Sequence, residues 1–70
     1  MSEVARMKLT QDNMRAMCDW VVNDRTITSH RLETTDGRLQ INIDTPQGLM
    51  IIKHDQWLIK DDKGVFTVND

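Results

Sequence analysis

The sequence predicts a small α+β domain: one helix packed on a twisted, mainly antiparallel sheet, with barrel-like curling of that sheet left open. Three observations carry this. The chain has 70 residues, enough for one domain spanning 1–70 and no more. One stretch alone has helical periodicity, with Met14, Met17, Cys18 and Val21 recurring at three- and four-residue steps. After Asp24 the period changes to two, and Gly- and Pro-containing turns cut the chain into short segments.

The elements follow in order. Val4 to Lys8 is short and mixed, and reads as a first strand. Thr10 is placed to cap the helix, since its hydroxyl can accept a hydrogen bond from a free N–H of the first turn. Asp12 suits the positive end of the helix dipole. About three turns follow, stopping at Asn23-Asp24. Thr26 to Thr34 is β-branched and polar, as an edge strand often is. Asp36-Gly37 is a hairpin signal, because both residues tolerate the positive φ angles of a type I′ turn. Leu39, Ile41 and Ile43 alternate with Gln40, Asn42 and Asp44 and give a half-buried strand. Thr45-Pro46-Gln47-Gly48 turns the chain into the apolar run Leu49 to Ile52. His54-Asp55-Gln56 bends it, Trp57 to Ile59 forms another strand, and Asp61 to Gly64 turns into Val65 to Val68. The expected order is β-α-β-β-β-β-β. The expected core is Leu39, Ile41, Ile43, Met50, Ile52, Trp57, Ile59 and Phe66 from the sheet, with Met14, Met17, Cys18 and Val21 from the helix.

Composition narrows the function. A net charge of −2 lacks the basic footprint of a dedicated DNA binder. A single cysteine cannot make an intrachain disulfide or a cysteine-rich zinc site. No apolar run approaches the roughly 20 residues of a membrane span, and Met1 to Arg6 has no signal-like apolar stretch. The expectation is a soluble protein of a reducing cytoplasm.

Thr45, Gly48, Met50, Trp57, Ile59, Lys60, Gly64 and Phe66 stand in a spacing that resembles a family of small bacteriophage proteins. The core of that family reads T-x-E-G-x-M-x-V-x-x-G-D-W-I-I-K-G-x-x-G-E-F-Y. Ile52 and Leu58 are close replacements, and the match through Phe66 needs no gap. The opening Leu9-Thr10-Gln11-Asp12-Asn13 and the later Trp20 are similar to the family's first strand and helix start, so the resemblance covers roughly residues 4 to 68. Gln47 stands where the family has Glu, Asp55-Gln56 where it has Gly-Asp, Asp61 where it has Gly, and Val65 where it has Glu. The family pattern continues into a Pro-containing segment and a further Phe that residues 1–70 do not contain. The family's activity is unassigned. The resemblance therefore implies a phage origin and a fold, and no reaction; together with the reducing cytoplasm expected from composition, the expected location is the host cytoplasm.

Each chemically suggestive residue has a plain structural explanation. Trp57 and Trp20 suit core anchors as well as an exposed hot spot. Met14 and Met17 have the spacing of core residues, although methionines, Met50 included, can also form an adaptable binding surface. His30 and His54 show no ligand spacing, and Cys18 falls on the apolar stripe. Asp55, Asp61 and Asp62 suit turns and lack the order of a calcium loop. Lys53, Lys60 and Lys63 near Trp57 could bind single strands, but those aspartates oppose their charge. Glu33, Asp36 and Asp44 are too scattered to mimic DNA.

No catalytic residue, cofactor or metal ligand is assigned. The residues put forward for partner binding are Thr28, His30, Arg31 and Glu33 on the polar edge segment, together with Trp57. That edge could add a strand from another chain, or the first strand could cover it. The expected function is a phage-encoded, non-enzymatic protein that binds a host protein. A homo-oligomeric structural or accessory role is the alternative, and a nucleic-acid or small-ligand binder stands behind both.

Overall fold

The computed structural model describes residues 3–70, with side chains from Ala5 onward; Met1 and Ser2 lie outside the described residues. The elements are β1 (Glu3–Lys8), α1 (Met14–Asn23), β2 (Ser29–Thr35), β3 (Arg38–Thr45), β4 (Gly48–Lys53), β5 (Trp57–Asp61) and β6 (Phe66–Asn69). The order is the one the sequence predicts. The strands form two separate antiparallel sheets of three, β1-β5-β6 and β2-β3-β4. Among the described residues no ladder joins the two, so the barrel-like alternative is not realised.

Local chemistry places each element. The Thr10 hydroxyl accepts the Asn13 N–H at 3.1 Å and so caps the turn leading into α1. The first helical bond runs from the Met17 N–H to the Asn13 carbonyl at 2.9 Å, one turn later than a helix beginning at Gln11 would give. Asp24 ends the helix in an extended conformation. Asp36 and Gly37 have φ of 54° and 75°, the type I′ geometry that joins β2 to β3. The Thr45 hydroxyl accepts the Gln47 N–H and donates to the Gly48 carbonyl, fixing the β3–β4 turn. Leu9 ties the end of β1 to the β4–β5 turn: its N–H donates to the Gln56 carbonyl, and its carbonyl accepts the Asp55 N–H at 2.7 Å.

The core forms where the helix meets the inner faces of both sheets. Leu9, Met17, Val21, Ile41, Ile43, Ile52, Leu58 and Phe66 are fully buried. Trp20 packs against this cluster, its ring centroid 5.9 Å from that of Phe66, and Cys18 and Met50 pack there too. Several expected core residues are elsewhere. Successive strand residues point to opposite faces, and β5 turns Leu58 inward. Trp57 and Ile59 therefore lie on the outer face, both half-buried. Met14 and Leu39 are half-buried and outside the cluster. The run Trp57-Leu58-Ile59 is apolar throughout, so its letters carry no phase.

Candidate functional site

Two features stand out chemically: a buried ion pair, and the exposed edges of the β2-β3-β4 sheet.

The ion pair joins helix to sheet. β5 turns Lys60 to the inner face, where its Nζ lies 2.7 Å from Asp24 Oδ2 and 5.6 Å from the Phe66 ring centroid. The Asp24 side chain is 4% exposed. Burial pushes its carboxyl pKa up, but hydrogen bonds from the Lys60 ammonium and from the Thr26 hydroxyl and N–H, with the Lys60 charge, outweigh it. The net shift is downward from 3.8. Each polar group has a partner, so the pair is a structural tie between the helix C-terminus and sheet β1-β5-β6. Asp61 is also held below its ordinary range, first by the Val65 N–H on its carboxylate, with burial opposing and the Lys63 N–H assisting. It organises the β5–β6 turn. Among the described residues no three His, Cys, Asp or Glu come together to hold a metal ion, and no helix is long and apolar enough to cross a membrane.

The edges follow from the ladder pattern. In an antiparallel pair, alternate residues bond to the partner while those between point their N–H and C=O away. The type I′ turn makes Thr35 and Arg38 a bonded pair, and the β2–β3 register runs from there to Ser29 opposite Asp44. The backbone groups of His30, Leu32 and Thr34 therefore face outward from β2. β1 pairs with β5, and among the described residues no strand pairs with β2 on this side. The same phase carried across β3 turns the backbone groups of Leu49, Ile51 and Lys53 outward from β4.

Three of the five residues put forward for partner binding, His30, Arg31 and Glu33, lie on β2, and Thr28 immediately precedes it. Thr28, His30 and Arg31 are exposed and Glu33 is half-buried. Glu33 organises the outer face. It accepts from Asn42 Nδ2 at 2.8 Å, Gln40 Nε2 at 3.4 Å and Arg31 Nη1 at 3.3 Å. Thr28 anchors the start of the edge by donating its N–H to the Asp44 carbonyl at 3.0 Å. Trp57 does not join them. It lies on the other sheet, with the Arg6 guanidinium 4.9 Å from its ring centroid.

The lysines expected near Trp57 disperse: Lys60 turns inward, Lys63 sits in a turn and Lys53 ends β4. Lys8, opposite Trp57 in the ladder, and Arg6 take their place. No sequence signal marks that neighbourhood, because it depends on β1 pairing with β5. His54 Nδ1 lies 3.1 Å from Asp55 Oδ2 in the β4–β5 turn. A surface groove of about 570 Å³ lies beside it, where Arg38 and Lys53 face Asp36 and Asp70, so its charge is mixed.

The fold and this surface define a small two-sheet α+β protein with open strand edges. No protein-family model matches the chain, and no curated protein or solved structure matches it.

Proposed function

We propose that this chain is a small phage-encoded, non-enzymatic protein that acts by binding a host protein in the host cytoplasm, through the β2 edge. The phage origin rests on the sequence resemblance alone, and the location on that resemblance together with the composition. The observation that carries the binding mode is the uncovered β2 edge, where His30, Leu32 and Thr34 offer unpaired backbone groups beside exposed, chemically distinctive side chains. An extended segment of a partner adds to such an edge by main-chain hydrogen bonds, and neighbouring side chains supply selectivity. Glu33 is held by the Asn42 and Gln40 amides and in turn accepts from Arg31, so that surface is ordered before it meets a partner. The two carboxylates with lowered pKa values are both occupied in holding the chain, which fits a binding role better than a catalytic one.

The test is a tagged pull-down from bacterial host lysate, read by mass spectrometry. Leu32→Pro removes one outward N–H and leaves the bonds to β3 in place, as an edge strand tolerates. The expected result is a single enriched host protein, captured by the wild type and by Trp57→Ala but not by folded Leu32→Pro. Capture that survives Leu32→Pro, or no specific capture by the wild type, contradicts the proposal.

A further inference from the structure

The opposite edge of the same sheet has a different character. Edge strands in soluble proteins are blunted by charge, by shortness or by cover. β1 carries Glu3, Arg6 and Lys8, β2 carries His30, Arg31 and Glu33, and β6 is only four residues long. β4 has the apolar run Leu49-Met50-Ile51-Ile52, with its single charge at the end, on Lys53. Leu49 is 64% exposed and Ile51 41% exposed. Both side chains stand on the outer face of the sheet, and among the described residues no strand pairs with β4 on this side.

The Lys53 end of this edge is already closed. Its N–H donates to Gln56 Oε1 at 2.9 Å, and its carbonyl accepts the Gln56 N–H at 3.0 Å. What remains open is the N–H and C=O of Leu49 and of Ile51. That set is self-complementary. An antiparallel strand centred on Met50 places Leu49 opposite Ile51 and Ile51 opposite Leu49, so all four groups on each chain find partners. A register centred one residue later would set Leu49 against Lys53 and compete with Gln56.

We propose that β4 is a self-association edge at which two copies of this chain pair antiparallel about Met50. The sheet then becomes six-stranded, β2-β3-β4-β4-β3-β2. Charge complementarity favours a second copy over an unrelated strand. Lys53 and Asp44 stand on the outer face with the two exposed apolar side chains. Strand spacing of about 4.8 Å and a rise of about 3.4 Å put Lys53 of one copy about 12 Å, Cα to Cα, from Asp44 of the second. An extended lysine and an aspartate together span most of that distance. The contact occurs twice by symmetry, as in any isologous pair. Ser29 occupies only one Asp44 oxygen, at 2.6 Å, and leaves the other to receive it. Leu49 and Ile51 of both copies form one apolar patch between these charges. The contact is small beside the roughly 1,200–2,000 Å² of a stable interface, so association is weak and concentration-dependent. Both β2 edges remain at the outer ends of the dimer, so this inference does not depend on the host-protein reading.

Sedimentation equilibrium from micromolar to millimolar protein tests it, with amide hydrogen exchange on the same samples. The wild type is expected to shift from monomer to dimer, with protection of the Leu49 and Ile51 amides rising alongside. Ile51→Lys, an exposed position, is expected to weaken association at least tenfold with the fold retained. Lys53→Asp is expected to weaken it, and the double variant Lys53→Asp/Asp44→Lys to restore it in part. A strict monomer at millimolar concentration overturns the proposal. So does a dimer that survives Ile51→Lys, or one whose protection rises along β2 instead of β4.

Discussion

Replacing Leu58 with alanine is expected to cost about 2–5 kcal/mol, while Trp57→Ala, one residue away, costs only about 1–2 kcal/mol. Leu58 is fully buried where the two sheets meet the helix. Its removal leaves a cavity in the buried cluster that a thin core cannot easily close. Trp57 is the larger side chain, but it lies half-buried on the outer face and loses mainly its stack with Arg6. A domain of this size has a total stability of only several kcal/mol, so Leu58→Ala brings it near the unfolding threshold. Urea denaturation followed by circular dichroism gives both values. Equal losses, or a larger loss at Trp57, would mean that β5 faces the other way.

Lys60→Met is expected to cost about 2–4 kcal/mol at neutral pH. The substitution keeps the apolar stem and removes the charge, so Asp24 is left buried with Thr26 alone. Breaking a fully buried pair costs about 3–5 kcal/mol. The Lys60 side chain is 27% exposed, and solvent screening brings the value down. The pH dependence has a definite sign. Asp24 has a lower pKa folded than unfolded, so its contribution is fully present above the unfolded value near 3.8. It is lost as pH falls through the lowered folded value. The gap between wild type and Lys60→Met should therefore be widest at neutral pH and close in acid. A double variant, Lys60→Met with Asp24→Asn, is expected to recover part of the loss because no buried charge remains. A gap unchanged down to pH 2 would show that the loss does not come from the Asp24 charge.

The parts of this molecule that were legible in the sequence are those set by local chemistry. The Met17–Val21 stripe, the Asp36-Gly37 turn and the alternation through Ile41 and Ile43 each depend on residues within a few positions of one another, whereas Thr10 caps only the turn before α1, whose N-cap is Asn13. The unread parts depend on distant pairings. Trp57-Leu58-Ile59 has no polar residue to mark its outward side, so the larger aromatic was assigned to the core in place of Leu58. β1 could have covered β2, and its pairing with β5 decides both the open β2 edge and the company of Arg6 and Lys8 around Trp57. Lys60 reads as a surface charge until β5 is paired and its inner face meets the helix end at Asp24. Of the residues put forward for partner binding, His30, Arg31 and Glu33 stand together because they share β2, with Thr28 just before it. Trp57 was joined to them only by chemical type.

Among the described residues both edges of the β2-β3-β4 sheet are uncovered, and backbone amide hydrogen exchange in dilute protein tests this most directly. Protection should alternate along β2, with Arg31 and Glu33 slow and His30 and Leu32 fast. On β4, Met50 and Ile52 should be slow while Leu49 and Ile51 exchange quickly. Uniform protection along either strand would mean that the edge is already paired or covered, and would contradict the account.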